Sequence, residues 1–145
     1  MWAPVTDERV RVPPMHAWAC RIYWEDTDAG GVVYHANYLK FMERCRSEWL
    51  RALGVDQPRL RAERQLQFAV VSLTVDFLKP ARLDDEIVVT AELERLGGAT
   101  IAFKQTIRRD DVQLIDATVR VACLDSGTLK ARAIPKDLFM EWRDG

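Results

Sequence analysis

The chain has 145 residues, 48% hydrophobic and 30% charged, which is enough apolar material for one substantial core and too little length for two ordinary domains. Its formal net charge is -1 with acids and bases interspersed, so there is no broad cationic field to gather nucleic acid or anionic lipid. Three widely spaced cysteines, Cys20, Cys45 and Cys123, argue against a disulfide framework and a cysteine-based metal site, and read as small core residues.

Residues 1–15 carry Pro4, Pro13 and Pro14 among scattered charges, the pattern of a loosely held lead-in rather than of a signal peptide. No later run approaches the roughly 18 apolar residues that span a bilayer, so no membrane span is expected and a reducing cytoplasm fits best. A single domain is expected over residues 16–142.

Residues Ala17 to Trp24 are compatible with a strand, which then meets the acidic, glycine-rich loop Glu25-Asp26-Thr27-Asp28-Ala29-Gly30-Gly31. Next comes the strongest helix signal. Tyr38, Phe41, Met42, Cys45, Trp49 and Leu53 recur at three- and four-residue spacing, with Asn37 as N-cap and Gly54 as stop, predicting a helix over about Tyr38–Leu53. An arginine-rich polar connection leads into four strand-like runs near Gln67–Leu78, Glu86–Leu96, Thr100–Arg109 and Gln113–Asp125. Ile101, Phe103 and Ile107 share one parity, as do Ile115, Ala117, Val119, Val121 and Cys123, which marks half-buried antiparallel strands. Ala133–Leu138 then begins a short turn or helix.

One strand, one long helix and a four-stranded meander make an α+β unit, a curled antiparallel sheet wrapped around one long central helix. Pairing of two such sheets about a two-fold axis would cover an exposed edge, so at least a dimer is expected.

The segment Glu25–Tyr38 combines acids, glycines, a histidine and a helix start. Acyl transfer from a thioester needs donors for the negative charge that develops on the carbonyl oxygen, and unpaired N–H groups at a helix N-terminus supply them. Residues His35 and Ala36 occupy such positions, and Asp28, seven residues earlier, is the candidate carboxylate to attack the carbonyl or activate water. Taken alone, an Asp-x-Asp-x-Gly loop is more often a capped turn than an active site. The oxygen ligands of an EF-hand calcium loop are missing, and two histidines, His16 and His35, assemble no zinc set, so no metal is expected. There is no Gly-x-Ser-x-Gly elbow and no phosphate-loop or dinucleotide fingerprint.

The run Glu-Asp-Thr-Asp-Ala-Gly-Gly-Val-Val-Tyr-His-Ala-Asn-Tyr resembles the signature of the YbgC branch of the 4-hydroxybenzoyl-CoA thioesterase family. The likeness continues through Asp76–Asp85 and Lys130–Pro135 and spans nearly all of residues 16–142. This resemblance implies a hotdog fold, hydrolysis of acyl-CoA without metal or other cofactor, and homodimers that often pair into homotetramers. By motif position it assigns the catalytic carboxylate to Asp28 and a backbone donor to His35, whose imidazole also enters the site. Trp24, Gly31, Tyr34, Lys79 and Arg82 are the substrate-binding candidates, with Arg132 a further candidate for the CoA phosphates. Trp24 stands where relatives commonly carry tyrosine, which keeps an aromatic wall and loses a hydroxyl. Whether the aspartate acts as nucleophile or as general base stays open, with general base preferred. The alternatives are a non-catalytic module that binds acyl carrier protein or lipid-synthesis partners, and a hotdog dehydratase or hydratase, whose histidine-led patterns are absent.

Overall fold

The computed structural model describes residues 15–139. The expected lead-in, apart from Met15, and the expected domain end at 140–142 lie outside them. Strand β1 (His16–Arg21) is followed by a 3₁₀ turn at Trp24–Asp26, helix α1 (His35–Ala52), helix α2 (Gln57–Arg64) and strands β2 (Leu66–Phe77), β3 (Glu86–Leu96), β4 (Thr100–Arg109) and β5 (Val112–Asp125). The strands form one antiparallel sheet in the order β1-β3-β4-β5-β2.

The expected α+β arrangement is present, with differences in topology and in element boundaries. The meander has three strands, because β2 pairs with β5 rather than β3 and forms the edge opposite β1. The connection from β2 to β3 is too long for a hairpin and crosses from one edge towards the other. The arginine-rich connection contains α2, which buries only Leu60 and so left no apolar stripe to read. Its local signals are nevertheless present: the Asp56 side chain caps the Arg59 N–H at 3.1 Å, and Pro58 lies in the first turn. Finally, the first strand stops at Arg21, and the Asp26 carboxylate accepts the Tyr23 N–H at 2.8 Å to wind the next residues into the 3₁₀ turn.

Helix α1 buries Tyr38, Phe41, Met42, Cys45 and Trp49 as the spacing predicts, and Leu50 in addition. It ends in a Schellman motif: Val55 N–H donates to Leu50 O and Gly54 N–H to Arg51 O, both at 3.0 Å, with Gly54 at φ +83. Its start lies three residues before the expected one. Tyr34, not Asn37, is the N-cap, and its side chain makes no capping bond.

Side chains of α1 reach the inward face of β4, where Trp49 meets Phe103 edge-on at 5.0 Å between ring centroids. Fully burying one such large apolar side chain contributes about 1.5–3 kcal/mol. Gln105 occupies an inward position in β4 and is fully buried. It accepts from Arg46 Nη1 at 2.9 Å and donates to the Met42 and Thr90 carbonyls at 3.0 and 3.3 Å, which satisfies its amide. The helix lies mainly over β3 and β1. On β2, the bulge between Val70 and Ser72 keeps Val70, Leu73 and Phe77 opposite the inward residues Val121, Val119 and Ile115, yet all three remain exposed.

Candidate active site

The loop after the 3₁₀ turn folds into a miniature hairpin. Asp28 N–H donates to Val32 O at 2.9 Å, Gly31 N–H returns to Asp28 O at 3.0 Å, and Thr27 bridges Val33. The Asp28 side chain closes an Asx turn by accepting the Gly30 N–H on Oδ1 at 2.8 Å. The two glycines suit this geometry, Gly31 by its backbone conformation and Gly30 by the space it leaves beside Asp28. Gly31 has φ +80, and a Cβ on Gly30 would lie 3.1 Å from Asp28 Oδ1. The second carboxylate oxygen, Oδ2, has no partner among the described residues, and the side chain is exposed.

The hairpin returns the chain directly into α1. Tyr34 N–H donates to Asp26 O at 2.9 Å, and Asn37 N–H folds back to Tyr34 O at 2.8 Å. Between them, the N–H groups of His35 and Ala36 have no acceptor among the described residues. They are two open donors at the positive end of an 18-residue helix. Among the described residues, the loop–helix junction thus offers a carboxylate oxygen and backbone donors without partners.

The His35 ring rests against Tyr34 at 4.6 Å and meets Phe77 edge-on at 6.3 Å. Val33, His35, Tyr38, Phe77, Leu78, Lys79 and Pro80 line an open cleft of about 240 Å³ at the start of α1. Its far wall, residues 79–82, is tied to the hairpin by Val33 N–H to Ala81 O at 2.9 Å and by the bridge between Val32 and Arg82. Buried Tyr38 accepts the Ala81 N–H at 2.9 Å. Its phenol is pushed above the ordinary tyrosine value, chiefly by burial, and stays protonated at neutral pH. Asp85 accepts the Arg82 N–H and Arg109 Nη1, both at 2.8 Å. Burial works to raise the Asp85 carboxyl, but the Arg82 amide and the Arg109 guanidinium outweigh it and hold the group below its ordinary value.

Of the sequence candidates, Asp28, Gly31, Tyr34 and His35 come together in the hairpin and helix start, Lys79 joins the His35 cleft, and Arg82 is bridged to the hairpin. Neither Lys79 nor Arg82 has an ion-pair partner among the described residues. Trp24 lies apart, in a second hollow with Arg21, Tyr23, Glu25, Leu83 and Asp84. Arg132 is committed elsewhere: Nη1 bonds the Arg64 carbonyl at 3.0 Å and lies 3.5 Å from Asp125 Oδ2, so it serves the end of α2 rather than this cleft. Sequence reasoning missed the supporting roles of Asp26, Asn37, Phe77, Asp85 and Arg109. Asn37 read as a cap because its type suits one, and Phe77 and Arg109 meet partners remote in sequence.

The thiols offer no competing nucleophile. Burial pushes Cys45 up to about 12 and Cys20 up to about 11, and also raises Cys123. Among the described residues, no three His, Cys, Asp or Glu side chains gather as a metal site would require.

The thioesterase superfamily matches the chain over residues 30–115, which includes the Gly30-to-His35 segment and the 79–82 wall. The acyl-CoA thioesterase YbgC of Haemophilus influenzae is 50% identical over 118 residues, covering 81% of this chain and 87% of that protein. The acyl-CoA thioester hydrolase YbgC of Escherichia coli O6:H1 is 43% identical over 127 residues, covering 87% and 94%. A crystal structure from Bartonella henselae, described as a probable thioesterase, superposes with a TM-score of 0.74 at 36% identity, covering 83% of this chain and 98% of that one. Sequence identity and fold agree across the same region, and the curled antiparallel sheet on one long helix is that of the hotdog fold. The protein therefore belongs to the thioesterase superfamily.

Proposed function

We propose that the protein hydrolyses acyl-CoA thioesters to free acid and CoA, with Asp28 and the opening of α1 as its catalytic centre. The observation that carries this reading is that a carboxylate oxygen on Asp28 and the N–H groups of His35 and Ala36, none with a partner among the described residues, share one loop–helix junction. The thioester carbonyl oxygen accepts from the helix donors, and the charge it gains during attack is stabilised by donors already fixed in place. Asp28 takes a proton from the attacking water as general base, and its Asx turn holds the carboxylate in one orientation. The His35 ring, packed against Tyr34 and Phe77, positions the substrate at the mouth of the cleft. Lys79 and Arg82, which form no ion pair among the described residues, serve the CoA phosphates.

We further propose that the working unit is a homodimer or homotetramer. Strand β2 is a sheet edge that exposes Val70, Val71, Leu73 and Phe77, an apolar row that pairing with a second copy would cover. Sedimentation velocity reads this directly, and a monomer at micromolar concentration overturns it. Three buried or half-buried unpaired thiols suit a reducing cytoplasm. Acyl carrier protein is the partner of the alternative reading, a module that binds the acyl group without hydrolysing it.

The test is thiol release from a panel of acyl-CoA substrates of increasing length, plus acyl carrier protein, by wild type and Asp28→Asn. Asparagine can still accept the Gly30 N–H, so the turn survives while the base is lost. The expected result is turnover in the wild type and a loss of about 100-fold or more in the variant, in line with removal of a general base. Equal activity in both overturns the assignment of Asp28, and no wild-type turnover favours a binding module.

A further inference from the structure

The hollow lined by Arg21, Tyr23, Trp24, Glu25, Leu83 and Asp84 measures about 420 Å³ and has no part in the hydrolysis just described. Trp24 is 79% exposed and Tyr23 62%. Adjacent aromatic rings this open to water offer a face on which a flat group can stack.

The segment that carries them is firmly held. Asp26 N–H donates to Tyr23 O at 3.0 Å, Tyr23 N–H donates to Asp26 Oδ2 at 2.8 Å, and Thr27 donates to Trp24 O through both N–H and Oγ1, at 3.2 and 2.9 Å. Across the hollow, Asp84 N–H donates to Ile22 O at 2.9 Å, and Arg21 Nη1 donates to Asp84 O at 2.8 Å. The backbone under the rings is therefore ordered in advance, and little freedom is lost when a flat ligand settles on them.

The charges select the ligand. Glu25 and Asp84 place two carboxylates at the rim, which repel phosphate, while Arg21 is engaged with the Asp84 carbonyl and lies 3.5 Å from Glu86 Oε2. A neutral heteroaromatic ring with an amino group suits this lining: its face stacks on tryptophan or tyrosine, and its amine donates to a carboxylate. The hollow also adjoins the proposed catalytic centre. Leu83 follows Arg82, which is bridged to Val32, and Trp24 precedes Asp28 by four residues, a span of at most about 14 Å.

We propose that this hollow is the adenine subsite for the CoA nucleotide: the ring stacks on Trp24 and Tyr23, its amino group faces Glu25 and Asp84, and the phosphates lie towards Arg82. The proposal rests on the acyl-CoA reading above. It makes Trp24 a nucleotide platform rather than a wall of the acyl pocket.

The test compares Trp24→Ala and Trp24→Phe with wild type on two substrates that share one acyl group, acyl-CoA and acyl-pantetheine, the latter lacking the nucleotide. Stacking on one aromatic side chain predicts a KM for acyl-CoA raised about tenfold more than the KM for acyl-pantetheine in the alanine variant, with partial recovery in the phenylalanine variant. Equal changes on both substrates would return Trp24 to the acyl or pantetheine path and overturn the proposal, as would no change on either. Calorimetry with 3′,5′-ADP separates this outcome from failure of the hydrolase reading. Binding to wild type that weakens in Trp24→Ala supports the subsite even without turnover, and no binding to wild type overturns it.

Discussion

The Asp26 carbonyl oxygen ties the acidic loop to the opening of α1: the Asn37 side-chain amide donates to it at 2.9 Å, and the Tyr34 N–H reaches the same atom at 2.9 Å. Asn37 therefore works as a clamp across eleven residues rather than as a cap of its own helix. Replacing Asn37 with alanine removes a part-buried hydrogen bond worth about 0.5–1.5 kcal/mol. The expected outcome is a modest loss of stability in denaturant together with a fall in kcat of about tenfold, because Asp28 and the helix donors lose their fixed relation. An unchanged kcat alongside that loss of stability would restrict Asn37 to holding the fold.

The backbone donor at His35 can be removed without breaking the helix. Tyr34 has φ -61 and ψ 127, the extended conformation a residue before proline requires, and proline is well tolerated at the first helical position. His35→Ala deletes the imidazole and keeps the N–H, whereas His35→Pro deletes both. If the N–H stabilises the oxyanion, the proline variant should lose about 100-fold more in kcat than the alanine variant, with helical circular dichroism unchanged. Matching kinetics in the two would shift the oxyanion role away from His35.

Tyr38 joins the core to the far wall of the cleft, with its ring 5.9 Å from Phe77 and its hydroxyl accepting the Ala81 N–H. Tyr38→Phe keeps the ring and leaves the Ala81 N–H without its acceptor. The expected cost is about 1–3 kcal/mol in urea or guanidinium unfolding, larger than for an exposed tyrosine.

Acid stability should depend on Asp85. Its folded-state value is lowered from an ordinary carboxyl value, so its contribution to stability is present at neutral pH. That contribution is lost as pH falls through the lowered folded value, in the range below about 4. Asp85→Asn should unfold more readily at neutral pH, because Arg109 loses its partner, and should show a shallower decline between about pH 5 and pH 2 than wild type. Parallel pH profiles would mean that Asp85 does not carry this dependence.

The sequence by itself determined the α+β class, the buried face of α1, the full extents of β3 and β4, and the motif in which Asp28 and His35 lie, because each rests on local periodicity or on a contiguous run of residues. Helix α2 escaped because one buried leucine makes no stripe, and the helix start was placed late because a backbone carbonyl, not a capping side chain, organises it. Only the tertiary structure decided that β2 forms the edge beside β5, that Trp24 faces a hollow of its own, and that Arg132 serves α2. The same holds for the Asp85–Arg109 support of the cleft wall, whose partners lie 24 residues apart. Strand order and long-range pairing depend on which surfaces meet after the chain has crossed the sheet. A period of two or 3.6 residues specifies which face of an element is buried, but not which element covers it.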